Sequence, residues 1–146
     1  MVKRQYVPVR HLLPYWKTSN RYLFSGGSVN MRDAAVYAKE ENWSKAVELW
    51  KQTYETKKGK QKMYAAYNTA LGYEMQDSID TALEWALKAQ TLAREKSKTD
   101  KKETGEIHNG TISYYIFISM YVDELEKRKE GMARLNMQMN RFDDDF

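Results

Sequence analysis

The chain has 146 residues, no cysteine, and 24 Lys and Arg against 20 Asp and Glu, a formal net charge of +4. That length bounds a single domain with room for five or six helices. The lack of thiols excludes disulfides, thiolate metal sites and cysteine nucleophiles, and no run of about 18 apolar residues is present to span a membrane.

The charge is unevenly spread. Residues 1–62 hold 13 basic and 5 acidic side chains, a balance of +8, while residues 63–146 hold 11 and 15, a balance of −4. No acid precedes Asp33. Such a basic arm can meet phosphate, an acidic lipid surface or an acidic partner, or lie against the acidic second half of its own chain. The first residues, MVKRQYVPVR, lack the apolar stretch of a signal peptide. Either the protein is cytoplasmic, or the chain is a piece whose export signal lies upstream.

Residues 1–13 read as an ordered arm or edge strand, because Tyr6, Val7 and Val9 alternate but Pro8 interrupts them. Pro14 suits the first position of a short helix with Tyr15, Ser19 and Tyr22 on one face, ended by Gly26 and Gly27. This arm and capping helix make up residues 1–27, followed by a helical domain over 28–140 and an acidic tail over 141–146. Ser28 is placed to cap the next helix, whose apolar stripe is Met31, Ala34, Ala35 and Ala38. A second helix is expected over about 44–56, with Ala46, Val47, Trp50 and Tyr54 inward. A basic loop follows over 57–62, then a third helix over about 61–76 and a fourth from an Asp77 or Ser78 cap to about 96. That fourth helix carries so many apolar residues that it should be buried on both sides. Residues 97–105 read as a charged loop. The segment TISYYIFISMYV favours a strand by propensity, but its length and the spacing of Ile107, Thr111, Tyr115, Ile118, Val122 and Leu125 favour a helix. Met132, Leu135 and Met139 suggest a separate short closing helix, and residues 143–146 a frayed tail.

Two of these stretches share one pattern. YAKEENWSKAVELWKQT at residues 37–53 and YEMQDSIDTALEWALKA at residues 73–89 each have a tyrosine, a polar corner, a bulky plug (Trp43, Ile79) and an alanine nine after the tyrosine (Ala46, Ala82). The pattern resembles the tetratricopeptide (TPR) family, which adds a small residue three before the tyrosine (Ala34, Ala70) and an aromatic four after the alanine (Trp50, but Ala86 in the second copy). The family's first-helix tryptophan and leucine are absent, and the spacing is 36 residues. The resemblance implies an all-α fold: a right-handed superhelix of helix pairs with an extended N-terminal arm and a long C-terminal capping helix. It also implies a module for binding a protein or peptide, without catalysis or cofactor. More narrowly, PYWKTSNRYLFSGGS running into ENWSKAVELW, with the late YVDELEKRK, resembles the C-terminal part of uncharacterised Bacteroidetes cell-envelope lipoproteins. That likeness implies a compartment and no chemistry.

Carried onto this sequence, the TPR concave face falls on Tyr64, Tyr67, Asn68, Leu71 and Glu74 from the second copy, with Met31 and Ala35 from the first. Their i, i+3, i+4, i+7 spacing puts Tyr64, Tyr67, Asn68 and Leu71 on one helical side. Met31 and Ala35 stand where carboxylate-clamping members of the family place a lysine and an asparagine, so an extended or helical segment is the expected ligand. If the arm fills this groove, the alternative role is a structural cap or accessory domain of a larger cell-envelope protein or enzyme. His11 and His108 have no Cys or carboxylate at ligand spacing, which points away from metal or triad chemistry. SGGS before a helix lacks the Gly-Lys-Ser/Thr ending of a phosphate loop. Nucleic-acid binding is disfavoured, since the basic and aromatic residues of the arm match no known module.

Overall fold

The structure, a computed structural model, describes the backbone of residues 3–11, 17–104 and 109–144, and the side chains of residues 21–96, 98 and 114–141. In chain order these residues form strands β1 (Lys3–His11) and β2 (Lys17–Ser25), then helices α1 (Val29–Lys39), α2 (Trp43–Thr56), α3 (Lys60–Met75), α4 (Ile79–Thr104) and α5 (Asn109–Asp144). The described chain is mostly helical, and each helix packs on the next.

The doubled sequence pattern produces doubled corners. At the end of α1, Glu41 takes a positive φ of 60° and the Asn42 N–H donates to the Tyr37 carbonyl at 2.9 Å. At the end of α3, Asp77 takes the same φ of 60° and the Ser78 N–H donates to the Tyr73 carbonyl at 2.9 Å. Asp is one of the few non-glycine residues that visit this left-handed conformation readily, and Glu41 adopts it in the equivalent corner without that advantage. The two alanines then open the following helices, Ala46 bonding back to Asn42 and Ala82 to Ser78, and both are fully buried. Between α2 and α3, Gly72 leaves no room for a side chain: a Cβ would stand 2.3 Å from Val47 Cγ2 and 3.3 Å from the buried Trp50 ring. Hydrogen there lets the two backbones meet.

Several expectations are corrected. Among the described residues, 17–25 do not form the short helix expected after Pro14: β2 runs antiparallel to β1 in the register Lys3↔Ser25 to His11↔Lys17. The spacing of Tyr15, Ser19 and Tyr22 mimics a helical face, but pairing with β1 and the burial of Leu23 and Phe24 in the helical core decide the local conformation. Pro14 to Trp16 lie outside the described residues, as does His108. Helix α4 does not stop near residue 96 but continues to Thr104, because the Lys- and Glu-rich stretch read as a loop is also good exposed-helix sequence. It is not buried on both sides either. Ala82, Ala86, Ala89 and Ala93 form one buried stripe, while Leu87 is exposed and Trp85 half-buried. The closing helix and the first two residues of the expected tail are instead the distal part of α5, which runs unbroken to Asp144, and residues 145 and 146 lie outside the described residues. The helical reading of residues 111–122 holds.

Candidate functional site: the groove that holds β2

The seven residues expected to line a groove are all buried, from 0% exposed for Met31, Asn68, Leu71 and Glu74 to 4% for Ala35, and Met31, Ala35, Tyr64, Tyr67 and Leu71 belong to one core cluster. What covers them is the chain itself. Strand β2 lies along α3 in the opposite direction, with Phe24 level with Asn68 and Arg21 level with Glu74, and α5 runs beside it, with Tyr121 and Arg128 reaching the same glutamate.

The grip on β2 has three parts. The Asn68 side-chain amide treats Phe24 as a neighbouring strand would: the Phe24 N–H donates to Asn68 Oδ1 at 2.9 Å, and Asn68 Nδ2 donates to the Phe24 carbonyl at 2.7 Å. The Tyr67 hydroxyl donates to the Tyr22 carbonyl. The backbone groups of Tyr22 and Phe24 thus face α3, so those of their β1 partners Tyr6 and Arg4 face the opposite edge. Pro8, paired with Asn20, has the same parity. A residue without an N–H therefore sits on the open edge of β1, where it blunts addition of a further strand.

The second part is aromatic. Phe24 is 1% exposed and stacks on Tyr64 at a centroid distance of 4.3 Å, with edge contacts to Tyr67 at 5.2 Å, Tyr114 at 5.9 Å and Phe117 at 5.9 Å. The Tyr64 and Tyr114 hydroxyls bond at 3.0 Å, which satisfies two polar tips within the cluster.

The third part is electrostatic. Glu74, fully buried, accepts from Arg21 through a two-point fork, Nε to Oε1 and Nη2 to Oε2, both at 3.0 Å. Tyr121 donates its hydroxyl to Oε1 at 2.9 Å, and Arg128 Nη1 donates to Oε2 at 3.0 Å. The other guanidinium arm of Arg128 reaches Asp77 at 3.0 Å, so two cations meet two anions. Burial alone would push the Glu74 carboxyl up, but the Arg21 fork, Arg128 and Tyr121 outweigh it and hold its pKa below the ordinary carboxylate value. Arg21 is held above its usual value: burial lowers it, and the bond and charge of Glu74 more than offset that. Burial and the facing Glu74 push the Tyr121 phenol well up, so it stays a donor.

Sequence reasoning found one wall of this site and missed its contents. Arg21, Phe24, Tyr121 and Arg128 were not assigned to it. One signal was available: Glu74 lies on the stripe with Tyr67, Asn68 and Leu71, and a carboxylate on a buried stripe requires a cationic partner. Which arginine, at separations of 53 and 54 residues, was not readable. A surface groove of about 650 Å³, lined by Asn30, Glu48, Lys51, Gln52, Glu55 and Thr56, includes none of the seven. Among the described residues no helix is long and apolar enough to cross a membrane, and no cluster of three His, Cys, Asp or Glu is arranged to hold a metal ion.

A family model described as a domain of unknown function (DUF6340) matches residues 32–127. The match takes in Asn68, Glu74 and Tyr121 but ends one residue before Arg128 and begins after β2. No curated protein and no solved structure matches the chain.

Proposed function

We propose, for a chain that belongs to the DUF6340 family, that it is a non-catalytic interaction module working in cis: a TPR-like stack of helix pairs whose groove anchors an extended segment of its own polypeptide. The observation that carries this reading is the double hydrogen bond between the Asn68 amide and the Phe24 backbone. It recognises main chain in strand conformation, which is how an extended ligand is held without regard to most of its side chains. The Arg21 fork on Glu74 and the Phe24 ring among the tyrosines then fix which segment and which register. In this reading the helical body is a structural cap that presents the β1–β2 hairpin, in keeping with a part of a larger protein.

Trypsin tests it in the full chain. Arg21 is the only basic residue of β2 whose side chain is described, and its guanidinium is engaged by Glu74. Cleavage after Arg21 is expected to be far slower than cleavage after Lys57 or Lys58, both exposed between α2 and α3, and to accelerate strongly in an Asn68→Ala variant that keeps its helical circular dichroism. Equal rates at Arg21 and Lys58 in the wild type would refute the anchoring role.

A second reading shares the same chemistry. A groove emptied of β2 offers Asn68, Glu74 and the tyrosines to an extended segment from another protein with an arginine three residues before an aromatic, the spacing of Arg21 and Phe24.

A further inference from the structure

Three ammonium groups gather around an aromatic pair that α2 and α4 form outside the groove holding β2. Tyr54 of α2 and Trp85 of α4 meet edge to face with centroids 5.0 Å apart, and both residues are half-buried. Lys88 Nζ lies 4.1 Å from the Trp85 ring centroid and 5.9 Å from that of Tyr54. Lys62, from the first turn of α3, stands 4.7 Å over Tyr54, and Lys51 stands 5.8 Å over Trp85 and 5.0 Å over Tyr73. Lys57 and Lys58, exposed in the connection from α2 to α3, continue the basic run.

The charge of this cluster is not answered within the described chain. Glu55 and Glu84 stand one helical turn from Lys51 and Lys88, yet among the described residues no carboxylate lies within ion-pair distance of Lys51, Lys62 or Lys88. The Tyr54 hydroxyl and the Trp85 indole N–H likewise donate to no described group. Arg21 and Arg128, by contrast, are engaged by Glu74. A ring face steadies an ammonium without neutralising it, so each lysine keeps its charge and its N–H donors for an anion from outside.

We propose that this face docks on an anionic lipid surface, resting at the headgroups without entering the bilayer. Three features favour that partner. The cations are all lysines, compact point charges suited to a diffuse layer of phosphates, whereas planar carboxylates are met by arginine and lysine is depleted at protein–protein interfaces. The ring faces carry ammonium groups, so the platform on which a single-stranded nucleic acid stacks its bases is not offered. Half-buried tyrosine and tryptophan with free polar tips are side chains that settle at headgroup level. The charge of the whole chain acts in the same sense. Residues 1–62, which supply Lys51, Lys57, Lys58 and Lys62, carry +8 against −4 for the remainder, a bias that turns this side towards a negative plane. The attachment is electrostatic, so it is weak and yields to salt.

Flotation of the full chain with vesicles tests the docking. The protein is expected to float at low salt with phosphatidylcholine vesicles containing about one-third phosphatidylglycerol, to stay behind with pure phosphatidylcholine, and to be released by about 0.5 M salt. Lys62→Glu with Lys88→Glu should weaken the attachment at least about tenfold. Lys39→Glu with Lys127→Glu makes the same charge change on exposed residues of α1 and α5, and should weaken it clearly less. Circular dichroism melts check that the variants stay folded, and Lys57→Glu with Lys58→Glu, in the exposed connection, gives the same reading without disturbing a ring contact. No flotation at low salt, equal binding to neutral vesicles, equal losses in the α1–α5 variant and in the cluster variants, or preference for a single-stranded oligonucleotide over the vesicles in competition would each overturn the proposal.

Discussion

Glu74→Ala is expected to destabilise the fold by about 3–5 kcal/mol, the range for removing one partner of a buried ion pair. The loss is large because the carboxylate is shared: Arg21, Tyr121 and Arg128 all donate to it, and each guanidinium is left largely buried, at 11% side-chain exposure, with one anion fewer. Glu74→Gln keeps the shape and removes the charge, so it should also destabilise, by less. The two variants differ in acid. A carboxyl whose folded pKa lies below its ordinary 4.5 contributes fully above that pH, and the contribution fades as pH falls through the lower folded value. The wild type should therefore lose stability on acidification below about pH 4.5, and Glu74→Gln should lose less over the same window. Urea unfolding at neutral and acid pH measures both. Identical pH slopes in the two proteins would remove Glu74 from its role as the ionised centre of the clasp.

Phe24→Ala is expected to cost about 3–5 kcal/mol, the range for emptying a buried aromatic site. The ring is the hub of the cluster formed by Tyr64 and Tyr67 of α3 and Tyr114 and Phe117 of α5, so the cavity left behind cannot close without moving α5 against α3. Phe24→Leu, which keeps apolar volume, should cost clearly less. Equilibrium denaturation of the two variants gives the comparison. A Phe24→Ala protein as stable as the wild type would mean that β2 rests on the helices without being part of the core.

The helical part of this fold was legible because its information is local. Tyr37 with Ala46, and Tyr73 with Ala82, sit nine residues apart and build their corners from hydrogen bonds no more than five residues long. The lengths of α4 and α5 were harder to read because charged helix and charged loop share a composition, and because Gly131 reads as a break although a helix can tolerate it. The conformation of residues 17–25 was not readable for a different reason. Its strand partner is the neighbouring β1, but its contacts on α3 and α5 lie far away in sequence, and a nine-residue segment with weak local preference takes its conformation from the pairing and those distant contacts together. The candidate site was half visible on the same grounds. Tyr64, Tyr67, Asn68, Leu71 and Glu74 share a helix face and were found, whereas the residues that fill the groove they line arrive from both ends of the chain.

The central claim is that the groove grips β2 by its backbone, and the exchange rate of one amide tests it most directly. The Phe24 N–H points away from β1 and has Asn68 Oδ1 as its acceptor. Under native conditions its hydrogen exchange should be as slow as that of the α3 core amides, and in Asn68→Ala it should become fast while those α3 amides stay protected. Exchange of the Phe24 amide at the rate of an open strand edge in the wild type would contradict the account.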